Sequence, residues 1–225
     1  MTMHFIREVE NLKREILALG GLVEESVQKA IRSVTSNNSE LAQEVVRRDD
    51  EIDELEVDIE EDCLKILALH QPVAVDLRFI VSVLKINSDL ERIGDLSVNI
   101  AQRALLLAHE PDFPRPDILS TMAEKARAML RDSLDALVRW DRALAERVLK
   151  SDDDVDAMNR QVYDAIRAEL EKGTRDVASN IHMLTVSRAT ERIADHATNI
   201  AEDVLYLIEG TIVRHTAKES RKPGS

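Results

Sequence analysis

Among the acidic residues separated by four positions in this sequence, four pairs occupy equivalent places in its two halves, and this spacing brings two carboxylates onto one face of a helix. Like charges at this spacing destabilise a helix by about 0.2–0.5 kcal/mol, and a bound cation would offset that cost. Carboxylates from two adjacent helices are hard oxygen ligands suited to iron(III), manganese, magnesium, calcium or zinc. The eight candidate metal ligands are Asp49, Asp53, Glu91, Asp95, Asp152, Asp156, Glu191 and Asp195.

A solvated acidic surface is the alternative interpretation of these pairs. The chain has 43 Asp and Glu among 225 residues, so chance alone gives roughly eight acidic pairs at this spacing. An internal repeat places the Asp/Asp pair, 49/53 and 152/156, and the Glu/Asp pair, 91/95 and 191/195, at equivalent positions in the two halves. This equivalence favours a metal site. A duplicated ancestor could also have passed on a merely solvated face, so both interpretations stay open here.

Other polar residues near the acidic pairs have less specific roles. His196 follows Asp195, but its equivalent in the first half is Leu96, which favours a histidine at the edge of the core over a metal ligand. Asn99 and Asn199 either add amide oxygens to the sites or hydrogen-bond to a neighbouring helix. Four arginines are expected to neutralise the carboxylates in the absence of metal rather than to bind anions. These are Arg48, Arg78, Arg92 and Arg192.

Catalytic motifs are absent from the sequence. It has no Gly-x-x-x-x-Gly-Lys-Ser/Thr or Gly-x-Gly-x-x-Gly loop for phosphates, and no Gly-x-Ser-x-Gly nucleophile turn. No Glu precedes a His by three positions, so the ligand pair typical of ferritin-like di-iron bundles is missing. We therefore assign no catalytic or cofactor-binding residues and predict that the chain is not an enzyme.

The elements that carry the acidic pairs are predicted to be long helices. Apolar residues recur every three or four positions and only 3% of residues are aromatic, which is typical of amphipathic helices and unlike a β-sandwich or barrel. Three helices are predicted in the first half, the second with Ser39 as its N-cap, and three in the second half, two of them capped by Asp117 and Asp141. Gly20–Gly21 interrupts the first helix, where we expect a kink or close packing.

The two halves are predicted to be copies of one unit. Residues 91–101 match residues 191–201 at seven of eleven positions, which indicates an internal repeat. A proline-rich segment between the halves cannot continue a helix and marks a linker. We therefore predict an all-α fold of two tandem three-helix bundles, with helix lengths similar to those of spectrin repeats. The predicted boundaries are 1–109 and 117–212 for the bundles, 110–116 for the linker, and 213–225 for a polar, disordered tail.

Charge and composition restrict the partners and the location of the chain. A formal net charge of −13 disfavours nucleic acid and anionic lipid, and favours cations or a basic protein partner. The single cysteine, Cys63, excludes a disulfide framework and is expected to lie in the core. The N-terminal residues lack the apolar run of a signal peptide, and no window is apolar enough for a membrane span. These features predict a cytoplasmic protein.

Several of these motifs together resemble those of the PhoU family. The segment Gln71-Pro72-Val73-Ala74-Val75-Asp76-Leu77-Arg78, the stretch Leu90-Glu91-Arg92-Ile93-Gly94-Asp95 and the counterpart Glu191-Arg192-Ile193-Ala194-Asp195 carry the likeness, which extends over nearly the whole chain. The resemblance implies two three-helix bundles side by side, a homodimer, and multinuclear metal clusters held by the eight acidic residues named above. Iron or zinc is the expected metal, with magnesium or manganese as alternatives.

The resemblance also implies a function in phosphate homeostasis. PhoU proteins act on the ATPase subunit of the phosphate ABC transporter and hold a membrane sensor histidine kinase in its phosphatase state. We therefore expect a cytoplasmic adaptor that reaches the inner membrane through these partners without inserting into it, and that represses phosphate uptake and the phosphate-starvation regulon. The alternatives are a metal-storage or metal-handling bundle and a helical scaffold without metal. Asn159 replaces Glu56 and Ala178 replaces Arg78 in the second half, so the two halves need not carry the same metal.

Overall fold

The computed structural model describes residues 3–110, 113–174 and 176–211. The predicted all-α fold is confirmed, and no strand occurs within these ranges. The predicted tail over 213–225 lies outside the described residues. None of the helices in the described ranges is long and apolar enough to cross a membrane. The helices are α1 (Met3–Thr35), α2 (Ser39–Arg47), α3 (Asp49–His70), α4 (Ala74–Leu107), α5 (Asp117–Arg139), α6 (Arg142–Glu171) and α7 (Val177–Glu209).

The second predicted helix is divided into α2 and α3 at Arg48. The backbone of Arg48 has φ −91° and ψ 0°, which lies outside the α-helical region. Its guanidinium group pairs with Glu25 of α1 at 3.0 Å and with Glu51 at 3.4 Å. No proline or glycine marks this position, so the apolar periodicity continues through the break and predicts a single helix.

The helix caps agree only in part with the prediction from sequence. Asn38, and not Ser39, is the N-cap of α2, because the Asn38 side chain accepts two backbone hydrogen bonds of the first turn at 3.0 and 3.1 Å. Asp141 caps α6 as predicted, and it accepts a hydrogen bond from a first-turn N–H at 3.0 Å. Asp117 is the first residue of α5, whose N-cap position is occupied by Pro116 without a side-chain hydrogen bond.

Buried apolar side chains from both halves form one continuous core. In the first half, α2 and α3 together occupy the place of the second predicted helix, since both contact α1 and α4. In the second half, α5, α6 and α7 pack against one another. Cys63 lies in the core, as predicted, and burial raises the pKa of its thiol to about 12.

The two halves meet mainly through α4 and α7, equivalent helices of the repeat that run antiparallel to each other. Near the start of α4, Lys85 donates a hydrogen bond to Asp203 near the end of α7 at 3.0 Å. Further along α4, Asp89 pairs with His196, which comes earlier in α7, at 2.7 Å. We call the contact between α4 and α7 the seam.

A second contact between the halves joins α1 to α5 at Gly20. A Cβ atom on Gly20 would lie 2.8 Å from Cδ1 of Leu134, which is closer than real Cβ contacts. A Cβ atom on the adjacent Gly21 would meet no atom within 4 Å. Because α1 continues through both residues, the expected close packing is present at Gly20 and the helix is not broken.

The two glycines predict opposite effects of the same substitution. Gly21→Ala should raise the free energy of unfolding by about 1 kcal/mol, because alanine favours the helix at an exposed position. Gly20→Ala should stabilise less or destabilise, because Leu134 must move to admit the methyl group. Urea unfolding of the two single variants measures the difference. Equal stabilisation by both substitutions would contradict a tight contact between α1 and α5.

Candidate metal-binding faces

The first acidic face lies where α3 packs against α4. Asp49 and Asp53 are one turn apart on α3, and Glu91 and Asp95 are one turn apart on α4. Burial, followed by repulsion from carboxylates that include Asp53 and Asp95, raises the pKa of Asp49 to about 6. Burial and the nearby Asp95 likewise raise the pKa of Glu91. The fold therefore brings the four predicted ligands of this half into electrostatic contact across two helices.

Gly94 permits the close approach of α3 to α4 at this face. A Cβ atom at this position would lie 3.2 Å from Cγ2 of the buried Ile52 and 3.9 Å from Oδ1 of Asp49. Two turns before Gly94 on α4, Asn87 donates a hydrogen bond at 2.8 Å to the backbone carbonyl of Glu56 on α3. These contacts fix the spacing of the two helices that carry the carboxylates.

The second acidic face repeats this arrangement on α6 and α7. Burial, then repulsion from Asp195 and Asp156, raises the pKa of Asp152 to about 6, and the Thr198 hydroxyl opposes this increase by donating a hydrogen bond at 3.4 Å. Burial and repulsion from the same two aspartates raise the pKa of Glu191. The eight predicted ligands therefore form two faces of four residues, one in each half of the chain.

The four arginines expected to neutralise these faces lie in different surroundings. Arg92 is exposed and opposes the increase in the pKa of Glu91. Arg48 instead pairs with glutamates outside the face, and Arg78 lies against the C-terminal end of α7 beside Gly210. Arg192 lines a cavity at the seam. The prediction is therefore wrong for Arg48 and Arg78, because sequence position alone did not show which helix end each side chain reaches.

Three polar residues that the sequence reasoning did not single out act on the second face. Arg160 lies one turn from Asp156 and pairs with it at 3.8 Å. Arg188 lies within one turn of Glu191 and opposes the increase in its pKa. Thr198 is the hydrogen-bond donor to Asp152. The spacing of the two arginines along their helices was a usable signal, whereas the contact made by Thr198 depends on the packing of α6 against α7.

His196 and Asn199 lie at the seam and not at an acidic face. His196 pairs through Nδ1 with a carboxylate oxygen of Asp89 at 2.7 Å, and Asn199 donates to the same oxygen at 3.3 Å. The His196 and Asp89 side chains are both mostly buried. His196 is therefore at the edge of the core, as its repeat position predicts, and Asn199 hydrogen-bonds to a neighbouring helix.

The carboxylates suit a cation chemically, although they are not gathered around a single point. Among the residues that the structure describes, no three His, Cys, Asp or Glu side chains are grouped closely enough to hold one metal ion. Burial and mutual repulsion raise the pKa of one aspartate and one glutamate at each face despite the nearby arginines, and a hard cation would offset both effects. Binding would require rotation of side chains, and Asp53, Asp95 and Asp195 are exposed to solvent.

The fold and the faces define a class of protein: a tandem pair of three-helix bundles with an acidic face on each. The family model for the PhoU domain matches residues 16–104 and 119–204. The chain therefore belongs to the PhoU family.

Relatives of known name or structure match nearly the whole chain. The phosphate-specific transport system accessory protein PhoU homolog of Aquifex aeolicus strain VF5 is 42% identical over 213 residues, covering 95% of this chain and 96% of that protein. The crystal structure of PhoU from Pseudomonas aeruginosa matches with a TM-score of 0.89 and 38% identity, over 92% of this chain and 100% of that one. The phosphate transport system regulatory protein PhoU from Streptococcus pneumoniae gives a TM-score of 0.87 and 31% identity, over 93% and 99%. These matches confirm the predicted fold and family.

Burial of the carboxylates, together with repulsion between them, predicts how the stability of the metal-free protein depends on pH. A carboxyl group whose pKa is raised in the fold stabilises it fully below the unfolded value of 3.8, and this contribution is lost as the pH rises through about 6. Chelator-treated protein should therefore lose stability over this interval. Asp152→Asn should raise the free energy of unfolding by about 1 kcal/mol at neutral pH and reduce the loss, allowing for solvent screening.

Asp164→Asn provides a matched control, because Asp164 is exposed on the same helix outside the face. This substitution should change the free energy of unfolding by less than about 0.5 kcal/mol. Urea unfolding at several pH values compares the two variants. If Asp152→Asn is no more stable than the wild type at neutral pH, repulsion at the second face is not a cost to the fold.

Proposed function

We propose that this chain is a non-enzymatic accessory protein that regulates phosphate uptake. Family membership over nearly the whole chain carries the proposal, since the matched relatives are named as phosphate-specific transport system accessory proteins. In this proposal the protein is a cytoplasmic homodimer that binds the ATPase subunit of the phosphate ABC transporter and the membrane sensor histidine kinase. Through these partners it limits phosphate uptake and represses the phosphate-starvation regulon.

The acidic faces are proposed to be the metal-binding part of this regulator. Asp49, Asp53, Glu91 and Asp95 would hold metal in the first half, and their four equivalents would hold it in the second. The chemistry supplied by an iron or zinc cation, or by magnesium or manganese, would be neutralisation of half-buried carboxylates that now repel each other. The α3–α4 and α6–α7 pairs would then be held more rigidly for contact with a partner.

The turn between α3 and α4 supports a role in protein contacts. Leu69 and Val73 flank this turn with 72% and 73% of their surfaces exposed, and in this proposal the two side chains supply an apolar contact for a partner. Gln71 in the turn and Ala74 at the first position of α4 have left-handed backbones, with φ of 45° and 50°. Such strain in residues other than glycine is concentrated at functional positions.

An adaptor regulates its partners by binding one of their conformations more tightly than the other. A shift in the conformational equilibrium of the transporter or kinase equals the difference between these two binding free energies. The proposal therefore requires a contact surface that is present on a rigid body. The continuous core supplies that rigidity, and the exposed turn and the acidic faces supply surfaces of two different kinds.

Two sets of substitutions test the proposal by affinity capture from native membranes. Asp49→Ala/Asp53→Ala/Glu91→Ala/Asp95→Ala should lose the metal of the first face, and capture of the transporter ATPase or kinase should fall with it. Leu69→Ser/Val73→Ser should retain metal but capture less of the same partners, because it removes only the exposed apolar contact. Mass spectrometry of the captured proteins and metal analysis of each variant supply both readouts.

Glu60→Ala/Glu61→Ala/Asp164→Ala/Glu169→Ala is the matched control, since it removes four exposed carboxylates that lie outside the faces. This variant should keep the metal and partners of the wild type. Capture of neither phosphate transporter nor kinase by wild-type protein would overturn the adaptor proposal. Stoichiometric metal on the faces without any partner would instead favour the metal-handling alternative.

A further inference from the structure

The seam contains two places that are equivalent under the repeat but differ in chemistry. At one of them, the Asp89 carboxylate on α4 receives His196 and Asn199 of α7. At the other, the position equivalent to Asp89 is Ala189 on α7, and it faces Leu96 and Asn99 of α4 across a cavity. The second place therefore lacks the carboxylate that fills the first.

A cavity of about 270 Å³ lies beside Ala189, where the equivalent place holds the carboxylate. Its walls are formed by two residues of α4 and six residues of α7. Among the residues that line it, none is Asp or Glu. The cavity is lined by Leu96, Asn99, Ile181, Leu184, Thr185, Arg188, Ala189 and Arg192.

Positive charge is concentrated at this end of the seam. Arg188 and Arg192 line the cavity, and Arg103 lies close enough to His182 to lower the pKa of that imidazole, after the larger effect of burial. The Nε atom of Arg103 is buried without a hydrogen-bond partner among the described residues. In a chain with a formal net charge of −13, such an excess of guanidinium groups attracts a small anion.

The opposite end of the seam has a balanced set of charges. Lys85 there is paired with Asp203, and Asp89 is paired with His196. The position equivalent to Asp203 is Arg103, so the repeat has exchanged a carboxylate for a guanidinium group as well as losing Asp89. The cavity end therefore lacks two negative charges of the equivalent end and also one positive charge, since Thr185 stands in place of Lys85, while Arg103 and Arg188 add positive charge there.

Asn99 indicates which kind of anion the cavity suits. Its Oδ1 atom is buried and has no hydrogen-bond donor among the described residues, and a buried acceptor without a donor is energetically unfavourable. A hydrogen phosphate ion carries a P–OH group that can donate to this oxygen, while its other oxygens accept from guanidinium groups. Sulfate offers the same charge but no donor.

We infer that the seam cavity beside Ala189 is a binding site for a small tetrahedral oxyanion, with hydrogen phosphate as the ligand that its groups satisfy best. The guanidinium groups of Arg188 and Arg192 bind the phosphate oxygens, and Asn99 accepts the P–OH hydrogen bond. Arg188 also interacts with Glu191, so a bound anion competes with that carboxylate for it. This site adds a ligand to the proposed regulatory function but needs no partner protein, so either can fail without the other.

Calorimetric titration of the full chain, treated with chelator so that no metal bridges the anion, tests the inference. Inorganic phosphate should bind with a Kd below about 1 mM at low ionic strength. Sulfate should bind about tenfold or more weakly, because it leaves Asn99 without a donor. Acetate tests whether the site binds a carboxylate, and it should bind more weakly than phosphate because it carries only one negative charge.

Three substitutions identify the site of binding. Arg192→Gln should weaken phosphate binding by about tenfold or more, whereas Arg92→Gln, its equivalent on α4, should leave the affinity unchanged. Ala189→Asp should abolish binding, because it restores the carboxylate found at the equivalent position and occupies the cavity. Circular dichroism checks that each variant is folded. If Ala189→Asp does not fold, the comparison of Arg192→Gln with Arg92→Gln decides the test.

Three results would overturn the inference. The first is absence of phosphate binding by the wild-type chain up to about 10 mM, which lies well above the affinity expected of a built site. The second is an equal loss of affinity in Arg92→Gln and Arg192→Gln, which would show a general effect of charge. The third is phosphate binding by folded Ala189→Asp with wild-type affinity, which would place the anion elsewhere.

Discussion

The antiparallel packing of α4 against α7 is the contact on which the rest of the structure depends. Each of these helices carries half of an acidic face on the side that meets α3 or α6, and each contributes the other side to the seam. Ile93 and Ile193 are fully buried within one turn of the carboxylates. The same two helices therefore position the acidic faces, the Asp89–His196 and Lys85–Asp203 pairs, and the cavity beside Ala189.

Much of the fold was predictable because its signals are local. Apolar periodicity is a property of each helix, and the match of residues 91–101 to 191–201 revealed the duplication without any knowledge of packing. The i,i+4 spacing of Asp49 and Asp53 placed them on one face, and the pair Glu91 and Asp95 was expected to join them from an adjacent helix. The raised pKa of Asp49, caused by burial and then by its acidic neighbours, is the physical consequence of that arrangement.

The features that sequence could not supply depend on contacts between distant segments. Arg48 ends α2 while its side chain reaches Glu25 of α1, and nothing in the local sequence marks that break. The pairing of His196 with Asp89 spans more than 100 positions. The charge difference between the two ends of the seam becomes visible only when Asp89 and Ala189 are compared in their packed positions, because each residue alone is an ordinary choice for a helix.

The proposal that the acidic faces are cation sites is tested most directly by anomalous diffraction. Crystals of the full chain, purified without chelator, would be measured at the absorption edges of iron and zinc. The account predicts anomalous peaks at about 2.0–2.5 Å from carboxylate oxygens of Asp49, Asp53, Glu91 and Asp95, or of their equivalents on α6 and α7. Ordered carboxylates on both faces with no peak between them, in crystals supplied with these metals, would contradict it.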